Sequence, residues 1–306
     1  MPWIPELFSA PALARVEERR GRRLERVPFF DGLLTGEIDA LVGSFAGEPE
    51  VHHPVRGRMK GVVGFKRFVA DMTGWVAKRN GTVDDVNFIV TPLGDVGEFV
   101  LHLDGDAGKI ELPLAVTANY DSHSRITELR MYFSGWPLNG EHRIRPPLLQ
   151  PEPGLHEPDV VGEYQRALAA GDVDAVMATF EPDAYVREPA GSAYIHRGTT
   201  ELRALFEQFF SNGGGVALEH CAVVDDGRAC ALEYNVVAWG RTELPPQAGI
   251  AVYVRGASGK LAAARIYDDV DPPLSPGHRS STMSSRGCEQ QMSALPSAGG
   301  STGSGL

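Results

Sequence analysis

Apolar positions recur with helical spacing from residue 159. Val160, Val161, Tyr164, Ala167 and Leu168 share one stripe, Asp159 stands where a cap is expected, and Gly171 closes the helix. A second short helix would bury Val173, Val176, Met177 and Phe180. The period then changes to strict alternation, placing Ala184, Val186 and Glu188 on one face of a strand that Pro189 stops. Thr199–Phe210 returns to a helical stripe with Leu202, Leu205, Phe206 and Phe209. Four strand-like runs follow: Val216–Val224, Ala229–Ala238, Ala248–Arg255 and Leu261–Asp268. Helices first and an antiparallel meander afterwards predict an α+β fold, with the helices packed on one sheet face.

The same pattern occurs earlier in the chain. LTGEIDALVGSFAGEPEVHHP, ending at Pro54, lies over LAAGDVDAVMATFEPDAYVREP, ending at Pro189. Gly36 matches Gly171, Asp39 matches Asp174 and Phe45 matches Phe180 without a gap. After a two-residue slip, KGVVGFKRFV matches RGTTELRALF through Gly61 and Gly198, and RMYF (Arg130–Phe133) matches RIYD (Arg265–Asp268). A repeat of this length predicts two copies of one domain, at 28–138 and 159–273. Residues 139–158 separate them. The stretch RPPLLQPEPGLHEPD, with five prolines, makes this segment a semi-rigid spacer. The two sheets are expected to pair as a pseudo-dimer within one chain, and a further homo-oligomer stays open.

The ends read differently. Residues 1–27 form a helical extension in which Pro11–Val27 carries Arg15, Arg19, Arg20, Arg22, Arg23 and Arg26. Such a helix is either a solvated packing extension or a docking arm for an acidic partner. Residues 274–306 are Ser- and Gly-rich and too poor in large apolar side chains to form a core, so they read as a disordered tail.

Composition narrows the partners. A net charge of −11 argues against nucleic acid. Cys221, Cys230 and Cys288 form no CxxC pair and no even framework, which argues against a disulfide scaffold and against a zinc site. The opening MPWIPELF lacks a secretory pattern, and no apolar run is long enough to span a bilayer. The expected setting is the cytoplasm, without membrane contact.

The run GDVDAVMATFEPDAYVREP resembles the hallmark of the nuclear transport factor 2-like superfamily, which includes ketosteroid isomerases, SnoaL-like polyketide cyclases and polyether epoxide hydrolase/cyclases. The resemblance covers both halves and neither terminus. It implies cone-shaped, cystatin-like domains, each with three N-terminal helices packed on a curved antiparallel sheet. In the isomerases the acid just before the proline shuttles the proton, and here that residue is Glu188. Their oxyanion-binding tyrosine precedes the helix-closing glycine by seven residues, as Tyr164 precedes Gly171. The epoxide hydrolases place a second acid on a following strand, close to Glu219. The resemblance fails at Gly249, where the isomerases carry an oxyanion-hole Asp, and at Asp268, where they carry a bulky apolar residue. Glu233 and Asn235 fall on a register read as facing the cavity, and Ile266 and Phe206 would line it. In the first half, Phe29 replaces the tyrosine, His53 replaces the pre-proline acid and His102 aligns with Glu233. The two histidines would serve as a base or as part of a metal site, or the first half is a degenerate scaffold.

A carboxylate inside an apolar cone loses hydration, and its pKa rises toward neutrality. Glu188 paired with Asp268, Glu219 or Glu233 would then supply one base and one proton donor, with Tyr164 as a neutral donor. That chemistry calls for no metal or organic cofactor. Two function classes follow: a cofactor-independent acid/base enzyme acting on a hydrophobic small molecule, or a non-catalytic ligand-binding or assembly protein.

Overall fold

A computed structural model describes residues 38–274 apart from positions 93, 107 and 124. The Arg-rich extension, Phe29 and the Ser/Gly-rich segment from 275 lie outside the described residues. In the first half, α1 (Ile38–Gly43) precedes β1 (Glu50–His53), β2 (Gly57–Lys60) and α2 (Val62–Ala77). Four strands follow: β3 (Thr82–Val90), β4 (Gly94–Gly105), β5 (Gly108–Tyr120) and β6 (Ile126–Tyr132). A one-turn helix, α3 (Trp136–Asn139), leads into the Pro-rich segment. The second half has α4 (Asp159–Ala170), and then, in the order of the first, α5 (Val173–Ala178), β7 (Phe180–Arg187), β8 (Ile195–Arg197) and α6 (Gly198–Phe209). It ends with β9 (Val216–Asp225), β10 (Ala229–Trp239), β11 (Thr242–Arg255) and β12 (Leu261–Ile266).

The helix ends follow from local chemistry. Asp172 caps α5 by accepting from the Ala175 N–H at 3.0 Å. Gly171 ends α4 in the left-handed region at φ 68°, where a Cβ would come within 2.8 Å of Gly214 backbone. Asp159 is the first residue of α4 and not its cap, and its carboxylate instead takes Arg255 Nε at 2.9 Å.

Each half forms one six-stranded sheet, in the orders β2-β1-β6-β5-β4-β3 and β8-β7-β12-β11-β10-β9. The sheets are mixed, a correction to the antiparallel expectation. β6 returns beside β1, and β12 beside β7, in the parallel sense, because a helix and a meander intervene before the chain comes back.

One face of each sheet is covered by its own helices. Phe65, Phe68, Phe99, Met131 and Phe133 belong to the first core, and Tyr164, Phe180, Phe206, Tyr234 and Trp239 to the second. The opposite faces meet each other. Ile89, Val96, Ala115 and Tyr132 pack with Ala231, Ile250, Val252 and Tyr267 in a third core shared by both sheets. Packing of this kind buries both faces of the central strands.

The strand pairings also correct the repeat alignment. Glu98 pairs with Ala115, and Glu233 pairs with Ile250. Ala115 is followed across the sheet by Tyr132, and Ile250 receives the Tyr267 N–H. Glu98 is therefore the counterpart of Glu233. His102 lies further along β4, opposite Glu111. Leu274 is buried, so the packed chain extends one residue into the expected tail. Among the described residues, no helix is long and apolar enough to cross a membrane.

Candidate active site

The second half encloses a cavity of about 80 Å³ between α4, the sheet and the chain after β12. Tyr164, Glu188, Tyr234, Ile266 and Asp268 line it, with Trp239 among its apolar walls. The α4 stripe brings Tyr164 there. It lies edge-on to Phe180 with ring centroids 5.6 Å apart and tilted on Tyr253 at 5.3 Å. Burial raises its phenol pKa above the ordinary value.

Glu188 follows the last residue of β7 on the side shared by Ala184 and Val186, both buried. Pro189 ends the pairing, and the Glu188 N–H closes onto the Tyr194 carbonyl at 3.0 Å. Its carboxylate is half-buried, and Oε1 lies 2.7 Å from Nε2 of His196 on β8. One carboxylate oxygen is thus held while the residue lines the cavity.

Asp268 is the buried acid. Burial is the largest influence and pushes its carboxyl up to about 6; hydrogen bonds from Tyr234 and the Val270 N–H pull the other way. The Tyr234 hydroxyl donates to Oδ2 at 2.9 Å. Gly249 makes this pairing possible: a Cβ there would stand 2.6 Å from the Tyr234 ring and 2.8 Å from Asp268 Cβ. The place where the resemblance expected an oxyanion-hole Asp is left open by glycine, and the Tyr234–Asp268 pair occupies the space.

Several expected residues lie elsewhere. Glu219 is exposed on the far face of the edge strand β9, where Leu218 and Val216 take the cavity side. Glu233 and Asn235 face the other sheet. Glu233 accepts from Arg130 and Tyr132 of the first half, and Asn235 donates to the Leu149 carbonyl at 3.2 Å. Phe206 is fully buried against Tyr164, so it supports the wall without lining the cavity.

In the first half a larger cavity, about 300 Å³, is lined by His53, Arg56, Trp75, Leu101, Phe133 and Arg143. His53 Nδ1 accepts the backbone N–H groups of Val55 and Arg56, each at 3.1 Å. Its proton is therefore on Nε2, which makes the ring a turn cap and a donor rather than a base. Desolvation, reinforced by the charges of Arg145 and Arg56, lowers its pKa to about 3. His102 does not join it. That ring is on the surface with Nε2 2.9 Å from Asp84, so the two histidines make neither a dyad nor a metal site. Phe99 and Phe133 occupy the first-half positions that match Tyr234 and Asp268, and they leave this cavity without the buried acid. Glu50, His52 and Glu128 come within metal-binding distance of one another. Their carboxylates already receive Arg58, Lys60 and Arg130, which meets their charge without an ion.

Tyr234, His196 and His142 are cavity or neighbouring residues that the sequence reading did not select. The alternation of Tyr234 and Val236 against Glu233 and Asn235 carries the signal for Tyr234. No local pattern marks the histidines.

Residues 161–264 match a family model described as a SnoaL-like domain. No curated protein matches the chain. Among solved structures, a putative polyketide cyclase from Sinorhizobium meliloti is similar, at 24% identity over 36% of this chain and 94% of that one, with a TM-score of 0.31. The epoxide hydrolase/cyclase-like enzyme SalBIII, described in pyran ring formation of the polyether salinomycin, matches at 20% identity over 36% and 87% of the two chains, TM-score 0.31. A protein with a ketosteroid isomerase-like fold from Catenulispora acidiphila matches at 13% identity over 38% and 90%, TM-score 0.32.

Proposed function

We propose that the SnoaL-like second half is an acid/base enzyme acting on a hydrophobic small molecule, of the cyclase or epoxide-opening kind. The observation that carries this reading is Asp268. It is a buried carboxyl held by Tyr234, lifted to about 6, and placed in the same apolar cavity as Glu188. Two carboxyl groups whose surroundings differ this much take different roles. Glu188, half-buried and held by His196, is the group that accepts a proton. Asp268 keeps its proton longer and delivers it to the oxygen that gains charge.

In a cyclisation, Glu188 removes a proton from a carbon beside a carbonyl or from a hydroxyl. The resulting nucleophile closes the ring within the same molecule. Asp268 protonates the carbonyl or epoxide oxygen, with Tyr164 as a neutral donor nearby. One proton is taken and one is given, so transfer from Glu188 back to Asp268 restores the starting state. Neither step requires a metal or organic cofactor. The first half, with Phe99 and Phe133 at the matching positions, is read as a non-catalytic ligand-binding or scaffold copy.

The test is turnover of a panel of apolar hydroxy-epoxides and poly-carbonyl compounds, followed by mass spectrometry. Cyclisation gives a product of unchanged mass and altered retention, whereas hydrolysis adds one water. Tight binding of such compounds without either product, unaffected by Glu188→Gln, would establish the binding-protein reading instead.

A further inference from the structure

The second-half cavity holds a side chain that comes from outside that half. His142 belongs to the segment between the halves, yet it lines this cavity together with Glu188 and Asp268. Its ring stacks on Trp136, with centroids 4.8 Å apart and planes 22° from parallel. Its Nδ1 lies 3.0 Å from Asp269 Oδ1.

The proton positions on this pair follow from the other partners of Asp269. Ser134 Oγ donates to Oδ1 at 2.6 Å, and the backbone N–H groups of Gly135 and Arg143 donate to Oδ2, each at 3.0 Å. Ser134 Oγ accepts from the Trp136 N–H, so its own hydrogen is free to point at the carboxylate. Three donors besides His142 already point at these two oxygens, so toward the ring the Asp269 carboxylate serves as an acceptor. His142 therefore carries its proton on Nδ1, and the neutral ring has its lone pair on Nε2. Nε2 is buried and has no hydrogen-bond partner among the described residues. A buried acceptor without a partner is unfavourable, and a substrate hydroxyl would satisfy it.

We propose that His142 is a further catalytic base of this cavity and that Asp269 is its positioning residue, so that the substrate is a hydroxyl-bearing apolar molecule whose O–H meets Nε2. The assignment rests on the acid/base reading of the same cavity. The O–H bond breaks as Nε2–H forms, and the freed oxygen bonds to the electrophilic carbon. The C–O bond of an epoxide, or the π bond of a carbonyl, gives its electron pair to oxygen, which takes the Asp268 proton. The imidazolium then returns a proton to Asp268. A carboxylate on Nδ1–H with Nε2 facing the reacting proton is an arrangement that stabilises the imidazolium as it forms.

The experiment needs no turnover. Long-range ¹H–¹⁵N NMR of the full chain at pH 7.5 should show His142 as the Nδ1–H tautomer with an unprotonated Nε2. Phenol is the probe and benzene its control. Phenol should move the Nε2 resonance upfield, and benzene should bind without that shift. His142→Phe keeps a ring against Trp136 and should weaken phenol about threefold to tenfold while leaving benzene unchanged. Asp269→Asn should shift the tautomer toward Nε2–H. Glu188→Gln should leave all of these responses in place, which separates this assignment from the role of Glu188. An Nε2–H tautomer in the unaltered protein, absence of a phenol response, or equal phenol affinity in His142→Phe would overturn the proposal.

Discussion

Arg130 of the first half and Glu233 of the second lie side by side, Nε to Oε1 at 2.7 Å and Nη2 to Oε2 at 2.7 Å, both buried. Tyr132 donates to the same carboxylate at 2.6 Å. The arrangement is reciprocal: Arg265 Nε meets Glu98 at 2.7 Å, with Tyr267 donating at 2.7 Å. Burial pushes the Glu98 carboxyl up, but the facing Arg265 charge and the hydrogen bonds from Arg265 and Tyr267 outweigh it and hold it below its usual range. The two sheets are thus joined by a pair of desolvated forks set in apolar surface.

Removing Glu233 takes from Arg130 its two-pronged partner and leaves it the Glu128 carboxylate at the edge of the interface. Glu233→Gln is expected to cost about 1–3 kcal/mol, the scale of weakened buried hydrogen bonds to a charged group, read by urea unfolding at pH 7. Glu98→Gln should cost more, about 3–5 kcal/mol, because the other recorded partner of Arg265 is the neutral Tyr185 hydroxyl. Replacing Arg130 and Glu233 together by Met and Leu should recover most of the loss. Unchanged stability in Glu233→Gln would show that the fork contributes nothing.

Asp268 links stability to pH. Its folded carboxyl titrates near 6 against an ordinary 3.8, so the fold binds this proton more tightly than the unfolded chain does. The contribution is complete below about pH 3.8 and is lost as pH rises through about 6. At ~1.4 kcal/mol per pKa unit it amounts to about 3 kcal/mol. Asp268→Asn should remove this slope and gain relative to the unaltered protein between pH 4 and pH 7.5. Parallel stability curves for the two proteins would contradict the buried-acid assignment.

His53 acts with the opposite sign. Its ring, held neutral and lowered from 6.5 to about 3, contributes stability that is present above about pH 6.5 and lost as pH falls toward 3. His53→Gln should therefore flatten the acid limb of the unfolding curve. If the first half is a scaffold, His53→Ala should fold and keep the turnover of the second half. An intact fold without turnover would move chemistry into the first half.

Glu188→Gln preserves volume and removes the proton acceptor. The expected loss is about 10²–10⁴-fold in rate, with ligand affinity little changed. Tyr164→Phe should cost less, since it removes one neutral donor. Initial rates on any substrate from the epoxide and carbonyl panel decide this. A Glu188→Gln protein with full activity would end the general-base role.

Tyr164 and Glu188 were expected from the family resemblance, whereas the order of helices and strands in the second half was legible in the chain itself. Their signals are local. A helical stripe, a glycine at φ 68° and a proline that ends a strand act within a few residues of their cause. The face taken by each strand residue was not legible in β10. Residues 229–236 are all buried, because one sheet face meets its helices and the other meets the second sheet. Hydropathy then has no inside and outside to distinguish, and a one-residue error turns every side chain over. That is why Glu233 was assigned to the cavity when Tyr234 occupies it. Glu219 was placed by the resemblance, and on the half-buried edge strand β9 a shift of one residue puts it on the exposed side. His142 was beyond any reading of its own neighbourhood. Its partner Asp269 stands 127 residues away, and only the packing of one sheet against the other brings the segment between the halves to the rim of the second-half cavity.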